Sequence, residues 1–219
     1  MRPWPNPAAV QVLEVPTVPV KADALADWLG LPDAPEMLNM LLATATEMAI
    51  KYLNSALVAQ RYRLTMDTVP RDTPRRGGLA SSDGRTSPWI DLPYTRLLAV
   101  LSVTRTDSAG AETVLVEGSG YRVDLTSKPG RVELLSLPGD YHFGALTIEY
   151  RAGFDDGISE WESDLDSGDY SFIPAPIRQG ILQHAAYMYE HRGQCDADEA
   201  MKKSGAAGLY GPFRVRWGL

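Results

Sequence analysis

Cysteine is nearly absent from this chain: Cys195 is the only one in 219 residues. An internal disulfide is excluded, and a reducing compartment is expected. Histidine is scarce as well, with His142, His184 and His191 alone. His184 and His191 stand two helical turns apart, about 10 Å, too far to grip one metal together. His191 and Cys195 have i,i+4 spacing, but Gly193 lies between them and no third group orients a nucleophile. No lysine directly follows a glycine and there is no GxGxxG, so phosphate-loop and dinucleotide chemistry have no footing. Nothing approaches eighteen consecutive apolar residues, and MRPWPNPAAV lacks the apolar stretch of a signal peptide. A soluble protein made in the cytoplasm, with no membrane partner, is the expectation. Basic residues are the minority, 21 against 28 acidic, for a net charge of −7. That balance argues against general affinity for nucleic acid.

What the chain does contain is helical patterning near both ends. Residues 174–192, PAPIRQGILQHAAYMYEHR, open on Pro174 and Pro176, where a missing N–H is harmless. Ile177, Ile181, Ala185, Met188 and Tyr189 recur at helical spacing, and Gly193 stops the run. Far upstream, residues 35–56 place Leu38, Leu41, Ala45, Met48, Tyr52 and Ala56 on one face, widened by Leu42, Ala49 and Leu53. Two such faces most simply bury each other, with Leu41 and Ile181 in the core. A short helix over 21–29 precedes them, with Leu25, Trp28 and Leu29 as its buried side. Residues 1–20 carry five prolines, which forbid a helix and favour an extended arm. Trp4, Val10, Val12 and Val15 make that arm too apolar for a linker. It lies against its own domain or against a neighbouring subunit.

Between the long helices, residues 58–153 read as a β insertion. Tyr62, Leu64 and Met66 alternate with Arg61, Arg63, Thr65 and Asp67, the pattern of a half-buried strand. Further strands are expected at 89–92, 99–106, 113–117, 121–125, 131–137 and 145–151, separated by Gly, Pro and Asp turns. A small antiparallel sheet or sandwich follows, and the fold class is α+β. The helical core is 21–57 with 174–193.

Two loops stand out by charge. Residues 69–87 hold Arg71, Arg75, Arg76 and Arg85 among Gly, Ser and Pro. Residues 154–173 carry Asp155, Asp156, Glu160, Glu162, Asp164, Asp166 and Asp169. The second invites a calcium reading, but Gly168 comes one position early and Ala175 stands where a bidentate Glu is required. No metal, cofactor or catalytic site is expected. Arg75, Arg76, Arg85, Asp155, Asp156, Glu160, Glu162, Asp164 and Asp166 are candidates for subunit interfaces. The tail, 194–219, loses apolar periodicity beyond a turn or two near Glu199. It closes on GLYGPFRVRWGL, with aromatics and arginines of the kind enriched in binding hot spots.

The segments VAQRYRLTMD (58–67), SGYRVDLTSKPGRVEL (119–134), LTIEYRAGFDD (146–156), PAPIRQGILQHAAYMYEHR (174–192) and PFRVRW (212–217) together carry a resemblance. In that order and spacing, the chain resembles the head–tail connector, or adaptor, proteins of tailed bacteriophages and phage-like gene transfer agents. The resemblance implies a structural virion protein at the head–tail neck, made in the host cytoplasm. It would form a ring of twelve copies docked on the portal protein and present a surface to the next neck or tail completion protein. DNA would pass through the channel without specific binding. Tyr210, Phe213, Arg214, Arg216 and Trp217 would then form a portal-binding tail, separable from the folded core. Two other readings compete: a small-terminase-like DNA-packaging ring, which should show a helix-turn-helix or basic helix that is not found, and a metal-dependent enzyme using the acidic loop.

Overall fold

The computed structural model describes residues 8–14, 17–66, 89–94, 96–107, 109–135, 146–154 and 170–215. Helices and antiparallel sheets are both present, and the class is α+β. The chain divides into two compact units, one of Met1–Val15 with Gln60–Ala152, the other of Pro16–Ala59 with Gly153–Leu219.

Among the described residues, the first unit is all β. Strands β1 (Ala8–Val12), β2 (Gln60–Met66), β3 (Trp89–Asp91), β4 (Leu97–Thr106), β5 (Glu112–Val114), β6 (Tyr121–Asp124), β7 (Arg131–Leu134) and β8 (Leu146–Ala152) form two antiparallel sheets. Their orders are β1-β2-β8-β4-β5 and β3-β7-β6. The N-terminal arm thus resolves into an edge strand, β1, paired with β2 from Ala8 opposite Met66 to Val12 opposite Tyr62. At the sheet's centre β2 and β8 pair over their full lengths, Gln60 opposite Ala152 and Met66 opposite Leu146. Both strands alternate buried and half-buried residues without a break, as the sequence of β2 predicts. Tyr62 and Tyr150 lie opposite one another with stacked rings, 5.6 Å between centroids. Each hydroxyl donates a hydrogen bond, Tyr62 to Gln60 Oε1 and Tyr150 to the Pro93 carbonyl, both at 2.9 Å. These bonds offset much of the cost of burying the two phenols.

Strand β4 is less regular. Leu97 faces Ala152 and Val103 faces Ile148, but the register slips by one residue between Leu97 and Ala99 and again between Val100 and Ser102. Two bulges therefore sit in a single strand. Leu97 and Val103 are buried while Leu101, between them, is exposed. The turn from β6 to β7 is built on Asp124. Its carboxylate accepts hydrogen bonds from the backbone and side chains of Thr126 and Ser127 and from Arg131 Nε. Burial works to raise its pKa, but the bonds from Ser127, Thr126 and Arg131 outweigh that and hold the carboxyl well below the usual range.

The second unit is helical: α1 (Ala22–Leu29), α2 (Met37–Leu53), α3 (Ala175–Glu190), α4 (Ala197–Lys203) and α5 (Ala206–Tyr210), ending in a 3₁₀ turn at Gly211–Phe213. Helix α3 is the hub, packed against α2, α5, α1 and α4. Ile177, Ile181 and Ala185 of α3 are fully buried, as expected, joined by Gly180 and His184. On α2 the buried stripe is Leu38, Leu42, Ala45, Ala49 and Leu53. The expected centre at Leu41, Met48 and Tyr52 is corrected: all three are half-buried at the rim. Small residues, Ala45, Thr46 and Ala49, take the middle of the face instead. A second correction concerns Trp28, which is 52% exposed. The inward stripe of α1 runs through Ala22, Leu25, Ala26 and Leu29, and Trp28 lies about 110° round the helix from its centre.

Truncations should separate core from rim. Ile181→Ala, at a fully buried position, is expected to cost about 2–5 kcal/mol. Leu41→Ala, at the rim, should cost clearly less. Chemical denaturation of the two variants measures the difference, and equal midpoint shifts would place Leu41 back in the core.

Candidate assembly surfaces

The C-terminal segment is where sequence and structure differ most. After Glu190 the chain turns through Gly193 in the left-handed region, φ 76. Asp196 then caps α4, its Oδ1 accepting from Glu199 N at 2.8 Å. Lys202 pairs with Asp198 and Lys203 with Glu199 on the exposed face, one helical turn apart, pairs worth only a few tenths of a kcal/mol each. Gly205, φ 80, swings the chain into α5.

Helix α5 delivers Tyr210 into the core with no exposed surface. Its ring lies against Gly180, where a Cβ would come within 2.5 Å of Cε1. The Tyr52 ring is 6.0 Å away. Burial pushes the Tyr210 hydroxyl pKa up. The expectation of a tail separable from the core is therefore corrected for residues 197–215, and Tyr210 anchors the fold rather than offering a ring to a partner. Gly and Lys content concealed these two short helices because Asp196 and Gly205 supply local caps that apolar periodicity does not register.

Past Tyr210 the chain runs along the end of α2. Phe213 is half-buried on the helical core, and the exposed Arg214 holds its guanidinium 4.9 Å from the Tyr52 ring centroid. The Val215 N–H donates to the Leu53 carbonyl at 2.9 Å, one of the carbonyls a helix end leaves without an intrahelical donor. Asn54, in the left-handed conformation at φ 52, donates from Nδ2 to the Val215 carbonyl at 3.1 Å. Both polar groups of Val215 are thus held by the C-terminus of α2. Arg216 and Trp217 lie outside the described residues, as do Arg75, Arg76, Arg85, Asp155, Asp156, Glu160, Glu162, Asp164 and Asp166.

The histidines do not form a site. His184 is fully buried, with Nε2 2.8 Å from the Ala197 carbonyl. That makes Nε2 the donor and leaves Nδ1 as an unprotonated, buried nitrogen without a partner. His191 stacks on Tyr187 at 3.9 Å. Cys195 Sγ sits 3.9 Å from the His191 carbonyl oxygen, its hydrogen-bond partner on that residue. His142 lies outside the described residues. Among the described residues no three His, Cys, Asp or Glu side chains cluster as a metal site, and no helix is long and apolar enough to cross a membrane.

Exposed apolar side chains were the features hidden from the sequence. Val12, Leu101, Val114, Val116 and Leu125 are exposed in the β unit, Trp28 and Met40 in the helical one. An alternating strand such as ETVLVEG gives no sign of which valines remain uncovered.

Comparison with solved structures matches nearly the whole chain. One match is described as the neck of a native gene transfer agent (GTA) particle computed with C12 symmetry, another as the neck of an empty GTA particle computed with C6 symmetry. Each covers 96% of this chain and 97% of the other at TM-score 0.67, with 21% and 20% identity. This chain has the fold of a GTA neck chain. A third match, at 23% identity and the same coverage and TM-score, is described as the virion of a native GTA particle. No family model matches the sequence, and no curated protein does.

Burial lowers the His184 pKa from its ordinary 6.5, so the unfolded chain binds this proton at a higher pH than the folded one does. Stability from this group is complete above about pH 7 and falls as pH drops through about 6.5. Subtracting the pH dependence of a His184→Gln variant from that of the parent should isolate the loss. Superimposable pH slopes would show that His184 is not buried neutral.

Proposed function

We propose that this chain is a structural adaptor of a phage-like neck: a ring of copies, twelve by analogy with the C12 neck, that docks on the portal protein and joins the head to the next neck or tail component. Agreement in fold across both units with chains from GTA necks carries this reading. The net charge of −7 suits a channel that conducts DNA, because every Lys or Arg held on a phosphate would add affinity through counterion release.

Docking falls to Phe213, Arg214, Arg216 and Trp217, with Tyr210 as an internal anchor earlier in the same segment. An aromatic side chain fully buried at an interface removes about 150–250 Å² from water, worth up to ~4–6 kcal/mol. Because Val215 is already fixed by Leu53 and Asn54, few backbone residues need ordering on contact, and that lowers the entropic cost. A single segment still binds modestly; a ring of them binds tightly through effective concentration. Arg75, Arg76 and Arg85 on one side, and Asp155, Asp156, Glu160, Glu162, Asp164 and Asp166 on the other, supply complementary charge between neighbouring copies and favour one register.

Removing residues 216–219 should leave the thermal midpoint unchanged and abolish co-sedimentation with portal-bearing heads; a truncated protein that docks as well as the full chain would end the assignment. Removing 205–219, by contrast, takes away the buried Ala206 and Tyr210 and is expected to unfold the helical unit. Replacing Arg75, Arg76 and Arg85 together by Ser should weaken assembly most at low salt, read as the fraction of head-bound protein across a salt series. Identical curves for parent and variant would remove these arginines from the interface.

A further inference from the structure

The five-stranded sheet ends in β1 on one side and β5 on the other, and the two edges share one feature. Leu13 donates its N–H to the Arg61 carbonyl at 3.0 Å, and Leu115 donates to the Val103 carbonyl at 2.8 Å. Backbone groups alternate across an antiparallel ladder, so the preceding residues, Val12 and Val114, turn their N–H and C=O outward, away from β2 and β4. The same two side chains are exposed, Val12 at 41% and Val114 at 65%, with Val116 beyond it at 67%.

Among the described residues both edges are open, and open edges are ordinarily guarded by lysine, proline or inward-pointing charge. β1, AAVQV, has no charge and no proline, and β5, ETV, has Glu112 alone. Four successive antiparallel pairings leave β1 and β5 running in the same direction. A neighbouring copy related by a modest rotation would therefore bring its β1 alongside β5 in parallel.

We propose that β5 of one copy pairs with β1 of the next, so that the five-stranded sheets continue from subunit to subunit. The occupant of each edge is a second copy of this chain, an inference that rests on the ring reading above. Two different edges meeting give a heterologous contact, which propagates and closes into a ring when the rotation between copies divides a full turn; an edge meeting its own kind would stop at a two-fold dimer. Three residues of β5 make each contact small. The isolated chain gains little from one such pairing, whereas a ring fixed on its docking site repeats it at every junction.

The test uses the full chain with Cys195→Ser, which leaves no other thiol. One preparation carries Val12→Cys and a second carries Val114→Cys, both at exposed positions. Each alone, and the two mixed, are bound to portal-bearing heads, sedimented and treated with a short bis-maleimide. Covalent dimers from the mixture, with almost none from either preparation alone, are expected. Bound protein that gives no dimer in the mixture overturns the edge pairing while leaving docking intact. Dimers formed as readily within one preparation overturn it too, since they report a two-fold contact. Protein that does not sediment with heads overturns the adaptor reading and the edge pairing together.

Discussion

The unbroken pairing of β2 with β8 is the constraint on which the chain's organisation rests. Chain leaves the helical unit at Ala59 and returns at Gly153, and the strands that begin and end this excursion are direct neighbours in register. The junction is tight on the helical side as well. The Ala59 N–H donates to the Phe154 carbonyl at 3.0 Å. Gly153 occupies φ 138, with its α-carbon so close to the Val58 carbonyl that no side chain fits. An insertion whose two ends are clamped side by side adds little closure cost to the helices it interrupts, because loop entropy grows only slowly with length. Helices α2 and α3 can then pack as though they were consecutive.

Within the helical unit, a single absent side chain organises the C-terminus. Gly180 leaves room for the Tyr210 ring, Tyr210 fixes α5, and α5 aims the following residues at the C-terminal end of α2. There Val215 supplies a donor to a helix end that lacks one, while Asn54 closes the other side. The proposed docking segment therefore begins from a defined point. Affinity in such a system comes from preorganisation as much as from contact area.

Much of this was legible in the sequence, and the failures share a cause. Periodicity found β2 and β8 because their alternation is strict, and it found α3 because Ile177, Ile181 and Ala185 sit at helical spacing. It misplaced the stripe of α2 by about one residue and buried Trp28. In both cases pattern reading favours the largest apolar side chains, whereas helices approach most closely over small ones such as Ala26, Ala45 and Ala49. Sequence alone points Tyr210 at a partner, because aromatics and arginines crowd the tail and the resemblance implies a docking role for it. Gly180, an entire helix away, was making space for it. The charged loops lie outside the described residues. The open edges were invisible to pattern reading, because which strand lies outermost is a property of topology and not of any local run.

The two bulges in β4 carry a consequence for how this strand can vary in length. Each extra residue flips the alternation, and the second flip cancels the first. Leu97 and Val103 consequently keep the same parity and both reach the interior. Leu101 shares that parity in the sequence yet is exposed, because it is the extra residue at the second slip. Loss of one residue at either slip would remove that bulge alone, and the remainder of β4, still opposite the same β8 partners, would face as before. Loss of two, one from each bulge, would restore a plain strand with both ends facing as before. Single-residue insertions and deletions in homologous chains should therefore collect at these two slips, while the paired positions on either side keep their length.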